Sequence, residues 1–165
     1  MPAAHANFLN AITVLQTRLE KHPSDSDKIL VSALDAWDCY VKALASELLV
    51  EKYGEALSTD LGSVMQTRLN NDIADYDFFD SQTIRVLFKN YFSVDITQYW
   101  SIVGVRNAEE ACQKLDRYQF ERYQVEHCSE CNVTPLHGFT DNPQCALLLI
   151  VNLGKATQEF IERCR

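Results

Sequence analysis

Residues 27–51 read DKILVSALDAWDCYVKALASELLVE, and their apolar spacing decides the fold class. Leu30, Leu34, Trp37, Val41, Leu44 and Leu48 step by four, three, four, three and four. That rhythm winds one continuous apolar stripe along a helix, from about Asp27 to beyond Glu51, and makes it the spine of a core. Upstream, Phe8, Leu9, Ile12, Leu15 and Leu19 recur at threes and fours until His22-Pro23, where proline disfavours a continuing helix. Ser24 or Ser26 is the expected cap of the spine helix, with Asp25 and Asp27 suiting the positive end of its dipole.

Downstream, the pattern stays helical. Thr59 to Leu69 predicts a short helix, and Asn70 to Asp80 an acidic turn pinned by Tyr76, Phe78 and Phe79. Ser81 is expected to cap a segment carrying Ile84, Leu87, Phe88 and Phe92. Ile96, Tyr99, Trp100, Ile102 and Val103 suggest a short helix or packed loop ending near Gly104. A long helix follows from about Ala108 to His127, then a polar loop from Cys128 to Thr140 holding Pro135 and Gly138. Asn142-Pro143 reads as an N-cap with proline at the first helical position. The last helix carries Leu147, Ile150, Val151, Gly154, Thr157, Phe160 and Ile161. With no repeat and no linker, residues 1–165 are expected to form one all-α domain. Its expected form is a single up-and-down helical bundle of about five to six helices.

Composition narrows the function classes. At 47% hydrophobic the chain is not disordered, and five glycines and four prolines exclude collagen-like character. The net charge of −8 excludes the broad basic footprint of a general nucleic-acid binder. It leaves room for a local basic pocket that meets nucleic acid briefly, as substrate. The longest apolar run, Cys145 to Val151, is far shorter than the ~20 residues needed to span a bilayer. No basic leader opens the chain, so a cytoplasmic location is expected, with no membrane association and with its six cysteines reduced.

Glycine-rich phosphate loops and the G-x-S-x-G nucleophile elbow are both missing from the sequence. Glu109-Glu110 opens a helix, where carboxylates favour the dipole. Cys128, Cys131, His137 and Cys145 cluster with His127, and Cys128-x-x-Cys131 has a chelating spacing. His137 and Cys145 do not complete it as a compact second pair, so no bound metal and no cofactor are expected. Cys39, Cys112, Cys145 and Cys164 are expected to act as small packing residues.

The remaining signal is Arg122-Tyr123-Gln124-Val125-Glu126-His127-Cys128 at the end of the long helix. It resembles the HEPN superfamily (higher eukaryotes and prokaryotes nucleotide-binding), whose hallmark is Arg, four to six residues, then His. The nearest variant is the stand-alone ribonuclease-like group that reads Arg-Asn-x-Ile-Ala-His-Gly. Arg122 and His127 match its two functional positions, Val125 its aliphatic position and Cys128 its small terminal residue. The early helix, the aromatic middle and the closing helix also follow the family's order, over roughly residues 27 to 162. Tyr123 stands where the family usually has Asn or Asp, and Glu126 where it has Ala. Arg106-Asn107 offers the favoured dipeptide, but no histidine follows at the required spacing.

The resemblance implies a metal-independent RNA endonuclease of toxin or antiviral-defence type. Arg122 would grip the scissile phosphate and His127 would transfer protons, while Tyr123 and Gln124 would touch a base. Five helical residues set Arg122 and His127 ~140° and ~7.5 Å apart on a straight helix. Convergence therefore needs either unwinding before His127 or a second copy of the motif. The family implies the second, a homodimer with one shared cleft, restrained by an antitoxin or other regulatory protein. Two alternatives remain: a noncatalytic helical protein-interaction module, and a structural zinc-binding helical protein.

Overall fold

In a computed structural model, which describes residues 3–127 and 138–164, the described chain is helical with no strand. The helices are α1 (Ala3–Lys21), α2 (Ser26–Tyr53), α3 (Asp60–Ala74), α4 (Ser81–Phe92), α5 (Ala108–His127) and α6 (Pro143–Arg163). The all-α bundle expected from periodicity is the fold. No helix among the described residues is long and apolar enough to cross a membrane.

Helix α2, at 28 residues, is the spine that its stripe predicts. Helices α1 and α2 form an antiparallel hairpin through the short turn at Pro23–Asp25. At its open end the Ala4 amide donates to Glu47 Oε1 at 2.9 Å. Helix α6 lies across both, and α5 packs along α2. Trp37 is wholly enclosed where these elements meet. Its ring packs near Phe8, Tyr40 and Trp100, and its indole N–H donates to the Phe79 carbonyl at 3.1 Å. Trp100 in turn donates to Thr157 Oγ1 at 2.9 Å, which fixes the aromatic middle segment to α6.

Several local details differ from expectation. Asp25, not a serine, occupies the N-cap of α2 and makes no capping bond, its carboxylate reaching back to Arg18 at 4.0 Å. Asp80 caps α4 through Thr83 N, while Ser81 is the first helical residue and donates through backbone and hydroxyl to Asp116. Helix α3 continues through Asn70–Ala74, so the acidic turn is confined to residues 75–80. Asn142 caps α6 as expected, its side chain accepting from the Gln144 and Cys145 amides. Among the cysteines read as packing residues, only Cys112 is buried; Cys39, Cys145 and Cys164 are exposed. Cys39 sits two residues past Trp37, a step of about 200° that carries it off the apolar stripe.

Candidate functional site

Helix α5 runs unbroken through His127, so the Arg122–His127 motif occupies a regular helix end. Within one chain the two side chains diverge. Arg122 turns inward to α2 with its side chain 13% exposed, whereas His127 is exposed.

All three nitrogens of the Arg122 guanidinium meet carboxylates. Nη1 lies 2.7 Å from Asp38 Oδ2, Nη2 lies 2.7 Å from Asp35 Oδ1, and Nε lies 3.3 Å from Glu126 Oε1. Asp38 is the fixed end of this clasp. Its other oxygen accepts the Phe79 amide at 3.0 Å and the Gln119 side-chain amide at 2.9 Å. Burial pushes the Asp38 carboxyl above its ordinary pKa, against the pull of the Phe79, Arg122 and Gln119 donors. Burial also works to lower the pKa of Arg122, but the Asp38 hydrogen bond and the charges of Asp38, Asp35 and Glu126 outweigh it. Arg122 thus stays charged and held in one plane. Asp35, one turn earlier on α2, is more than half exposed.

His127 is oriented differently. Its Nδ1 lies 3.0 Å from the Tyr123 carbonyl oxygen, and a carbonyl can only accept. Nδ1 therefore carries the proton, and in the neutral ring Nε2 keeps its lone pair. The Tyr123 ring stacks on the imidazole, with centroids 4.2 Å apart and planes 20° apart. Tyr123 is half exposed and Gln124 half-buried on the next step of the helix. Phe120, one turn before Tyr123, is also exposed.

Spacing along α5 did not reveal the acids on Arg122, because they come from a helix 84 residues away in the case of Asp38. A signal was nevertheless present. Asp38 lies four residues after Leu34 and three before Val41, on the buried side of α2, where a carboxylate requires a partner. The rival dipeptide Arg106-Asn107 is structural. Asn107 Oδ1 accepts from Glu110 N at 2.9 Å, and the Glu110 carboxylate returns to the Arg106 backbone N–H and Nε. The Arg106 backbone and side-chain donors hold the Glu110 carboxyl below its ordinary pKa.

Thr140 and Asp141, just before α6, are tied to α5. Buried Glu121 accepts from the Thr140 hydroxyl at 2.6 Å, and Asp141 accepts from the Tyr118 hydroxyl at 2.7 Å and pairs with Arg117. Of the cysteines and histidines clustered by sequence, Cys128, Cys131 and His137 lie outside the described residues. Cys145 sits exposed in the first turn of α6, and no cluster suited to a metal occurs among the described residues. No protein-family model, curated protein or solved structure matches the chain.

Proposed function

We propose that this protein is a metal-independent RNA endonuclease of toxin or defence type, acting through Arg122 and His127 in a cleft shared by two copies. The observation that supports it most directly is the His127 ring. The Tyr123 carbonyl holds Nδ1–H, leaving Nε2 as a proton acceptor on an exposed helix end. A general base needs that tautomer and that access.

In this mechanism His127 Nε2 takes the proton of a ribose 2′-OH. The freed 2′-oxygen attacks the adjacent phosphorus, and the bond to the 5′-oxygen of the next nucleotide breaks. The departing 5′-oxygen receives a proton from the His127 of the second copy, which begins the step protonated. The products are a 2′,3′-cyclic phosphate and a 5′-hydroxyl. Arg122 offers its guanidinium to the non-bridging phosphate oxygens as charge develops there. Tyr123 and Gln124 contact the flanking base. The straight helix supports a shared cleft, because no unwinding before His127 brings the two side chains together. Glu126, the residue that departs from the family pattern, is paired with Arg122 on the same helix.

A second reading, a noncatalytic helical interaction module, is favoured by one specific observation: Arg122 is already engaged by three carboxylates. One experiment separates the readings. Purified protein in EDTA is incubated with single-stranded RNA beside Arg122→Ala and His127→Ala. Cyclic-phosphate ends from wild type alone support the nuclease, whereas cleavage untouched by either substitution, or none at all, supports the module.

A further inference from the structure

The clasp around Arg122 is unequal. Asp38 is 8% exposed in its side chain and accepts from the Phe79 amide, Gln119 and Arg122 itself, so it cannot leave without abandoning buried donors. Asp35 is 54% exposed in its side chain, on the Nη2 edge, where water can replace the pair at little cost. A carboxylate and a phosphodiester present the same feature to a guanidinium: two oxygens sharing negative charge.

We infer that Asp35 is a built-in competitor for the phosphate place on Arg122. Substrate must displace the Asp35 carboxylate from Nη2, while Asp38 and Glu126 keep the guanidinium plane where it stands. This rests on the nuclease reading and adds the regulation of that site. Asp38 serves as an anchor that orients Arg122, and Asp35 as an internal anion that sets the threshold for RNA. Swinging Asp35 out needs only a rotamer change in a side chain already more than half in solvent.

The test measures binding and turnover separately. The probe is a short single-stranded RNA blocked by 2′-O-methyl groups, titrated by fluorescence anisotropy at fixed salt against wild type, Asp35→Asn, Arg122→Gln and the double variant. Asp35→Asn is expected to bind about three- to tenfold more tightly, and to lower KM for cleavable RNA by a similar factor. The gain must vanish in the Arg122→Gln background. A gain that survives without Arg122 is a general charge effect and overturns the inference, as does no gain at all. The two ideas fail separately. Cleavage dependent on Arg122 and His127 with no effect of Asp35→Asn leaves the nuclease standing and removes the competitor. An Arg122-dependent gain in binding with no cleavage by any form does the reverse. Thermal melts of each variant confirm that it is folded.

Discussion

Trp37 joins several elements of the fold through one side chain. It is fully enclosed, touches aromatic rings from α1 and the middle segment, and supplies a hydrogen bond to the chain just before α4. Replacing it with alanine should cost about 3–5 kcal/mol, read from denaturant midpoints. His5 makes a prediction about pH. Its two ring nitrogens are buried with no hydrogen-bond partner, and burial holds its pKa below the ordinary value, opposed by the charge of Glu162. The unfolded chain therefore binds the proton more readily than the folded one. The stability this involves is complete above the unfolded pKa of about 6.5 and is lost as pH falls through it toward the folded value. Urea midpoints at neutral and mildly acidic pH should differ less in His5→Leu than in wild type; an unchanged difference would exclude His5 as a source. At this scale the sequence was half legible. Periodicity found Trp37 because burial follows from position on one helix. The partners of Arg122 were not found, because Asp35 and Asp38 meet it through the packing of α5 on α2, which one helix's spacing does not encode.

Among the elements, α6 shows that boundary chemistry is local to the sequence whereas packing is not. Asn142-Pro143 announced its start, and the side chain of Asn142 does satisfy two first-turn amides. Asn142→Ala should cost about 0.5–2 kcal/mol, measured as a shift in thermal midpoint. Gly154, by contrast, appeared only as a place in the apolar pattern. In the structure a Cβ there would overlap the Phe8 ring, itself stacked on Tyr40 with centroids 4.8 Å apart, while the Gly154 carbonyl accepts from the Tyr40 hydroxyl at 3.3 Å. That ring is buried against Tyr40 and Trp37, so Gly154→Ala should destabilise by about 1–3 kcal/mol despite alanine's better helix propensity. A stabilised variant would show that α1 and α6 can part at no cost. Such close approaches depend on how two helices cross. The end of α3 departs from its local preference for a simpler reason: Asn70, Asn71 and Asp72 favour turns, yet Leu69 and Ile73 pack against the core and carry the helix on to Ala74.

For the whole molecule, the shared-cleft mechanism sets an arithmetic expectation. When wild type and His127→Ala are unfolded together and refolded at equal amounts, about half the dimers are mixed. If every cleft needs both histidines, activity falls to about a quarter of an all-wild-type sample, against about half if each chain works alone. A nuclease that remains monomeric at working concentration would refute the shared cleft and leave the catalytic assignment intact. The antiparallel pairing of α1 and α2 carries a consequence of another kind, in the order of folding. Those helices are neighbours in sequence, so their docking closes a very short loop. The Tyr40–Gly154 hydrogen bond closes one spanning 114 residues. Chain entropy favours the hairpin as the early nucleus and delays α6 to the final closure. Trimming a methyl group in the hairpin, as Ile12→Val, should slow folding, whereas Ile150→Val in α6 should chiefly hasten unfolding. The two arms of a chevron plot would record the difference, and α6 would be the first helix to leave when the native protein opens.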